Sequence, residues 1–364
     1  MNRYSRQIML EDFGLQGQEK LLNAKVLVIG VGGLGCPVLL YLAIAGVGTL
    51  GMADHDKVAM SNLHRQILFD VNDVGQSKVL IAERTLKNKN PDIHILTYDL
   101  FVNENNVEEL ISGYDIVVDA TDNFAARYLL SDACSLLNIP LVYGAISGYE
   151  GQAGILCYSV DGAAACYRDI YPVPPAAGEV NSCNESGVLG VLPGLIGMIQ
   201  ANEVIKLITK TGTSLLNKIF MIDIADYRSH EFEISPGFHS DQPRSFEEIS
   251  TFDYRLFCHQ CESSSKEISV DDFNKVLTDQ DWTIIDVRDR HEIMDSEKLS
   301  ALNIPLGMLK SALNEQILSN QLVLVCSSGV RSLKGVKIVN EFFPDKKVIS
   351  LKGGLNAWNE RSKD

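Results

Sequence analysis

Val26-Leu-Val-Ile-Gly-Val-Gly-Gly-Leu-Gly-Cys36 runs from aliphatic and β-branched residues straight into glycines. Val26–Ile29 reads as a buried strand and Leu34–Ala45 as the helix that follows. At their junction Gly30, Gly32 and Gly35 fall in G-x-G-x-x-G register. Glycines let a backbone turn tightly and approach phosphates, and the helix start offers unpaired N–H groups. Outward from this junction, short β-branched runs alternate with helical stretches as far as Gly144. Strands are expected at Thr49–Ala53, Ile93–Tyr98, Ile116–Ala120 and Leu141–Tyr143, and helices at Ser77–Lys87 and Ala125–Leu137. The alternation predicts an α/β fold with a mostly parallel sheet wrapped on both faces. Val188–Ile208 reads as a largely apolar buried helix, with Pro193 tolerated in its first turns.

The chain has 364 residues, more than one ordinary core holds. Around Ser235–Ser265 Pro, Gly, Ser, His and acidic residues take over, a linker composition. Residues 1–240 are therefore expected to form one domain and 241–266 a linker carrying a Cys-x-x-Cys pair. Residues 267–364 should form a smaller α/β domain, with elements at Ile268–Leu277, Thr283–Val287, Leu322–Cys326, a helix from Val330, and Lys347–Leu351. The composition, 46% hydrophobic and 22% charged, is that of a soluble globular protein. A net charge of −15 argues against non-specific binding to nucleic acid or an anionic membrane. Val26–Ala53 is uncharged and long enough to span a bilayer, but its glycines and Pro37 mark a strand–turn–helix–strand instead. The start, Met1-Asn2-Arg3-Tyr4-Ser5-Arg6, lacks the apolar core of a signal peptide. With eight cysteines, this predicts a reducing cytoplasm where thiols serve metals or chemistry.

Asp54 follows the glycines at the end of the next strand, where a carboxylate can hold ribose hydroxyls. On these residues alone NAD and ATP are both open. Ser61-Asn-Leu-His-Arg-Gln66 then supplies Arg65, Val74-Gly-Gln-Ser-Lys78 supplies Lys78, and Arg3 and Arg6 add cations. A dinucleotide diphosphate is largely satisfied by backbone donors. A triphosphate needs several side-chain cations and a metal-binding carboxylate. Asp122, in Ala120-Thr-Asp-Asn-Phe124, is the candidate Mg²⁺ ligand. An NAD(P)-dependent oxidoreductase would leave these cations unexplained and has no evident acid or base for hydride transfer. A non-catalytic scaffold would be expected to have lost Arg65, Lys78 or Asp122, and all are present.

The set RYSRQI, GVGGLG, SNLHRQ, VGQSK, DATDN and GVLGVLPGLIGMIQANEVIKL, from Met1 to about Arg228, closely resembles the MoeB/ThiF/HesA family of adenylyltransferases. The resemblance implies a Rossmann-like adenylation domain that is homodimeric and uses ATP and Mg²⁺. It implies that Gly30, Gly32, Gly33 and Gly35 face the nucleotide and that Asp54 holds the ribose. Ser61, Asn62, Leu63, His64, Arg65 and Lys78 would form the phosphate side, and Asp122 with Asn123 would complete the metal and nucleotide contacts. Arg6 would act as an arginine finger across the dimer. The implied partner is a small ubiquitin-like sulfur carrier ending in Gly-Gly, whose terminal carboxylate attacks the α-phosphate. Molybdopterin, thiazole and other sulfur pathways use similar enzymes.

Cys183, in Asn181-Ser-Cys-Asn-Glu-Ser-Gly187, lies in a polar loop just before the long apolar helix, where a thiol is acidified. In some family members the matching cysteine bonds covalently to the carrier. Val323-Leu-Val-Cys-Ser-Ser-Gly-Val-Arg-Ser332 ends a strand with Cys326, a small-residue loop, and Arg331 at a helix start. Backbone N–H groups of such a loop form an anion nest. With Ile284-Ile-Asp-Val-Arg288, Asn303-Ile-Pro305 and Leu351-Lys-Gly-Gly-Leu-Asn-Ala-Trp358, it resembles a rhodanese domain, implying a persulfide on Cys326 and a persulfide donor such as a cysteine desulfurase. The stretch between Glu292 and Asn303 departs from that pattern. Zinc-binding members of the first family carry two C-x-x-C pairs. Here Cys258 and Cys261 make one pair, while Cys166-Tyr-Arg-Asp169 has aspartate at the second thiol, so any zinc site is expected to be Cys₃Asp.

Overall fold

The computed structural model describes residues 2–159, 162–174, 187–258, 267–277, 279, 281–289, 292, 301–315, 321–343 and 346–361. The chain forms two compact units, Met1–Gln260 and Cys261–Asp364.

In the first unit, helices α1 (Ser5–Ile8) and α2 (Gly14–Asn23) precede β1 (Lys25–Ile29), α3 (Gly35–Ala45) and β2 (Thr49–Ala53). Then come α4 (Lys78–Lys89), β3 (His94–Tyr98), α5 (Val107–Ile111), β4 (Ile116–Asp119), α6 (Phe124–Leu137), β5 (Leu141–Ser147) and β6 (Glu150–Leu156). The unit continues with α7 (Tyr167–Ile170), α8 (Val191–Thr209), β7 (Lys218–Asp223), β8 (Arg228–Glu233), α9 (Phe246–Thr251) and α10 (Tyr254–Phe257). The eight-stranded sheet runs β3-β2-β1-β4-β5-β6-β7-β8. It is parallel through β5 and antiparallel beyond. β1 is Lys-Val-Leu-Val-Ile with every residue after the lysine buried, as a strand covered on both faces must be. One face packs α3 and α8, including Val38, Leu42, Ile196 and Val204; the other packs α6, through Tyr128, Leu130 and Ala133. α8 is long and apolar enough to cross a membrane, but here it lies against α3, β5 and β6 as a core helix.

The expected linker is narrower than its composition suggests. Pro, Gly and Ser dominate the stretch, yet Phe246, Ile249, Phe252, Tyr254 and Phe257 return at near-helical intervals. They form α9 and α10 and pack into the first unit, with Ile249 and Tyr254 buried. The division between the compact units falls after Gln260, inside the expected 241–266 linker.

The second unit carries a five-stranded parallel sheet, ordered β11-β10-β12-β13-β9. Its strands are β9 (Glu267–Ile268), β10 (Trp282–Asp286), β11 (Leu302–Asn303), β12 (Gln321–Val325) and β13 (Lys347–Leu351). Helices α11 (Val270–Val276), α12 (Leu309–Glu315), α13 (Val330–Phe342) and α14 (Gly354–Arg361) cover it. Phe273 and Leu355 pack one face, and Val336 and Val339 the other.

Candidate functional site

In open α/β sheets ligands bind beyond the carboxyl ends of the strands, and there β1, β2, β4 and β5 frame a cavity. Gly30, Gly32, Gly33, Asp54, Asn62, Arg65, Lys78, Asp122 and Asn123 all line it. Gly30 follows β1 with φ +94°, a conformation side chains resist. A Cβ there would lie 2.6 Å from the Ala120 carbonyl. The chain turns out of the sheet against β4, and α3 starts immediately after.

Asp54 fastens this turn. Its Oδ2 accepts the Val31 N–H at 2.7 Å and its Oδ1 the Asp56 N–H at 2.8 Å. Lys78, 5% exposed, donates to Asp56 Oδ2 at 2.8 Å and lies 3.9 Å from Asp54. Arg65 Nη1 donates to the Ser61 carbonyl at 2.9 Å and lies 2.9 Å from His64 Nε2. Asp122 is exposed and makes no hydrogen bond or ion pair among the described residues. Asn123 caps α6, its Oδ1 accepting the Ala126 N–H at 2.9 Å.

Some expected nucleotide residues stand outside the cavity. Ser61 and His64 position Arg65, Leu63 packs against the core, and Gly35 is buried in the first turn of α3. Arg6 is an exposed residue of α1. The cavity also includes Asp56, Gln66, Phe101 and Arg127, which sequence reasoning did not select. Only the fold brings them there; Arg127 had the signal of following the capping Asn123 by one helical turn.

The second unit places Cys326 at the end of β12, 1% exposed. Its Sγ accepts the N–H groups of Gly329 at 3.2 Å and Ser332 at 3.4 Å, with the Ser332 hydroxyl at 3.5 Å. This is the expected nest. Arg331 meets Glu292 in two hydrogen bonds, of 2.5 and 2.8 Å, and reaches Cys326 through charge rather than a hydrogen bond. Glu292 holds the Arg331 charge above its ordinary range. The sequence from 293 to 300, where the rhodanese pattern breaks, lies outside the described residues, as do Cys183 and Cys261.

The structure assembles a different cluster from the expected zinc set. Ligand atoms of Cys166, Asp169 and His239 lie within 4.8 Å of one another, a group that Cys258 does not join among the described residues. Both oxygens of Asp169 already work as acceptors. Oδ2 caps α7 through the Cys166 N–H at 2.7 Å, and Oδ1 takes the Gly237 N–H at 2.7 Å and His239 at 2.8 Å. Burial, with Asp169 beside it, pushes the Cys166 thiol up to about 12. Burial does the same to Cys258, against the pull of Arg168. Among the described residues, then, two of the expected ligands, Cys166 and Asp169, stand together with His239, while Cys258 stands apart from them.

Arg168, between Cys166 and Asp169 in sequence, centres a second cluster. It is fully buried and grips Asp132 through Nε at 3.0 Å and Nη2 at 2.8 Å, and Asp241 through Nη1 at 3.0 Å. Tyr254 adds a hydrogen bond to Asp132 at 2.9 Å, and the rings of Tyr128, Phe252 and Phe257 surround the guanidinium. Burial works against the charge, yet Asp132 holds the Arg168 guanidinium above its ordinary range. This cluster ties residues 241–257 to α6.

The profile of the ThiF family matches residues 4–243, and that of the rhodanese-like domain residues 269–361. The "Adenylyltransferase and sulfurtransferase MOCS3" of Drosophila grimshawi is 39% identical over 381 residues, spanning 99% of this chain and 84% of that protein. The Zea mays "Adenylyltransferase and sulfurtransferase MOCS3-1" is 38% identical, spanning 98% and 81%. Among solved structures, E. coli MccB with ATP superposes with a TM-score of 0.56 at 26% identity, covering 66% of this chain and 74% of that one. A cavity beyond the Gly30 turn in the first unit and a nested cysteine in the second thus meet two matching profiles: the chain belongs to the ThiF family and continues into a rhodanese-like domain.

Proposed function

We propose that this protein uses ATP to adenylate the C-terminal glycine of a small ubiquitin-like sulfur carrier, then converts it to a thiocarboxylate through a persulfide on Cys326. The observation that carries this reading is one chain holding both a Gly30 turn flanked by Arg65, Lys78 and Asp122 and a cysteine in a donor nest. The carrier carboxylate oxygen attacks the α-phosphorus and pyrophosphate leaves. No base is needed for an ionised carboxylate. Arg65 and Lys78 offset the crowded negative charge. Asp122, an open hard-oxygen donor, suits Mg²⁺, which when bound would neutralise phosphate charge. The outer sulfur of the Cys326 persulfide, loaded by a donor such as a cysteine desulfurase, then attacks the acyl carbon and AMP leaves. A thiol, for which Cys183 is the candidate, attacks Cys326 Sγ and expels the thiocarboxylate. An external thiol reduces the disulfide that remains. Radiolabelled ATP–pyrophosphate exchange that depends on a carrier ending in Gly-Gly tests the first half; no exchange with any such carrier would overturn it.

A second copy of the chain fits the same reading. Met9, Leu10 and Leu15 beside Arg6, with Met60, Ile67 and Val71, are more than half exposed. Apolar surface of this kind favours a partner. Arg6→Ala exchange should then recover in mixtures with a Lys78→Ala chain, because one site per mixed dimer keeps every group. Mixtures no more active than their parts would remove Arg6 from the site.

Metal content separates the two accounts of the Cys166 region. Arg168→Met leaves Asp132 buried without its partner and should cost about 3–5 kcal/mol of stability in urea melts. Chelator treatment should leave the wild-type melt unchanged. A full zinc per chain, with stability lost on chelation, would restore the metal as the clasp.

A further inference from the structure

Arg127 is a buried cation that the reading above leaves without a role. It sits in the first turn of α6, only 8% exposed, and lines the same cavity as Lys78 and Asp122. Its Nη2 donates to the Thr121 carbonyl at 3.3 Å, while its buried Nε finds no acceptor among the described residues. The rings of Phe124 and Tyr143 lie 5.5 and 5.9 Å from its central carbon. The nearby carboxylate, Asp119, attracts it but makes no direct hydrogen bond or ion pair with it among the described residues. Asp119 Oδ1 takes the Thr121 N–H at 2.9 Å and hydroxyl at 2.7 Å, and its buried Oδ2 takes nothing among the described residues. Asp119 favours the Arg127 charge across the gap without a direct ion pair among the described residues, so guanidinium N–H edges remain for an incoming anion.

Sheet order indicates which anion. Asp54, Arg65 and Lys78 come from β2 and the chain after it, on one side of the Gly30 turn. Arg127 comes from the helix between β4 and β5, on the other side, where Ile146 also lines the cavity. Displacement at a phosphorus places the attacking and leaving oxygens roughly in line. If Arg65 and Lys78 take the departing pyrophosphate, the attacker stands on the opposite side, and Arg127 is the cation there. A guanidinium with rings against it and N–H edges left over suits a planar carboxylate.

We propose that Arg127 binds the terminal carboxylate of the acyl substrate and aims it at the α-phosphorus. The assignment rests on the adenylation reading above and names the acid subsite of that reaction. It predicts that the substrate is a free α-carboxylate on a slender peptide tail, and that an amidated tail is refused at binding.

The test uses the full chain, Arg127→Gln and Arg127→Lys, and carrier tails ending in Gly-Gly as the free acid or the carboxamide. In wild type the acid should bind more tightly than the amide by roughly ten- to a hundredfold, the value of a hydrogen bond to a charged group. Arg127→Gln should erase that discrimination and raise the KM for carrier in pyrophosphate exchange by a similar factor. Arg127→Lys should restore part of both. KM for ATP, and the rise in Tm caused by a non-hydrolysable ATP analogue, should stay at wild-type values in all three proteins. Retained acid-over-amide discrimination in both variants would overturn the assignment. So would loss of the nucleotide-dependent Tm rise together with discrimination, since Arg127 would then shape the whole cavity. Absence of exchange in wild type would instead overturn the adenylation reading itself.

Discussion

Cys326→Ala should abolish sulfur transfer to a carrier while ATP–pyrophosphate exchange continues at the wild-type rate. The exchange needs the Gly30 turn, Arg65, Lys78 and Asp122, all in the unit ending at Gln260. The transfer needs a sulfur whose negative charge is met by donors. Cys326 has two backbone N–H groups aimed at its Sγ from the start of α13, a helix end that favours an anion. Cys36, Cys134 and Cys157 are also buried but lie in the first unit's core, where burial pushes each thiol up. They are poor persulfide carriers. Arg331→Ala should weaken the step far less than Cys326→Ala, because the backbone donors remain and Glu292 already neutralises the guanidinium. Carrier mass reads the outcome, since a thiocarboxylate has sulfur in place of one oxygen. Thiocarboxylate formed at the normal rate by Cys326→Ala, with a protein persulfide as donor, would place the relay elsewhere.

What could be read from the chain followed how local the physics was. The Gly30 turn was legible because the backbone conformation itself calls for glycine, and β1, β2 and β4 were legible because strands covered on both faces must be aliphatic. Cys326 was legible for the same reason, a buried strand running into a loop of small residues. The far half of the first sheet was not. β6 is Glu-Gly-Gln-Ala-Gly-Ile-Leu, and glycine in a strand reads as a break. The glycine is there because α8 presses on the strand: a Cβ on Gly151 would lie 2.5 Å from Ile196. β8, Arg-Ser-His-Glu-Phe-Glu, is exposed along its whole length and shows no alternation to read. The Cys166 region was legible in part. Spacing pointed to Cys166 and Asp169, but His239, which the fold brings to Asp169, lies 70 residues away in sequence. Arg127 had only a weak signal, its place one helical turn after the capping Asn123, because nothing in Phe-Ala-Ala-Arg marks a cavity wall until β5 closes beside it.

Lys78→Ala should lower carrier-dependent ATP–pyrophosphate exchange by about a hundredfold or more, the scale of losing one preorganised charge at a transition state. Two effects act together. The site loses a cation set to meet the phosphates, and it keeps two carboxylates that this cation had balanced. Asp56 lies 2.8 Å from the Lys78 ammonium and Asp54 3.9 Å, so a triphosphate entering the variant meets both uncompensated. The same change also removes a lysine that is only 5% exposed, and some loss of Tm is expected with it. Lys78→Ala/Asp56→Ala separates the two contributions. Removing Asp56 as well should recover much of the Tm and part of the ATP affinity, because the added repulsion is gone. Exchange should stay at least about tenfold below wild type, because no ammonium faces the reacting phosphates. Asp56→Ala alone should bind ATP as well as wild type or better, since Lys78 is then released toward the nucleotide. Near-normal exchange in the double variant would reduce Lys78 to a structural counter-ion for Asp56. The phosphate side of the site would then rest on Arg65 and the Gly30 turn.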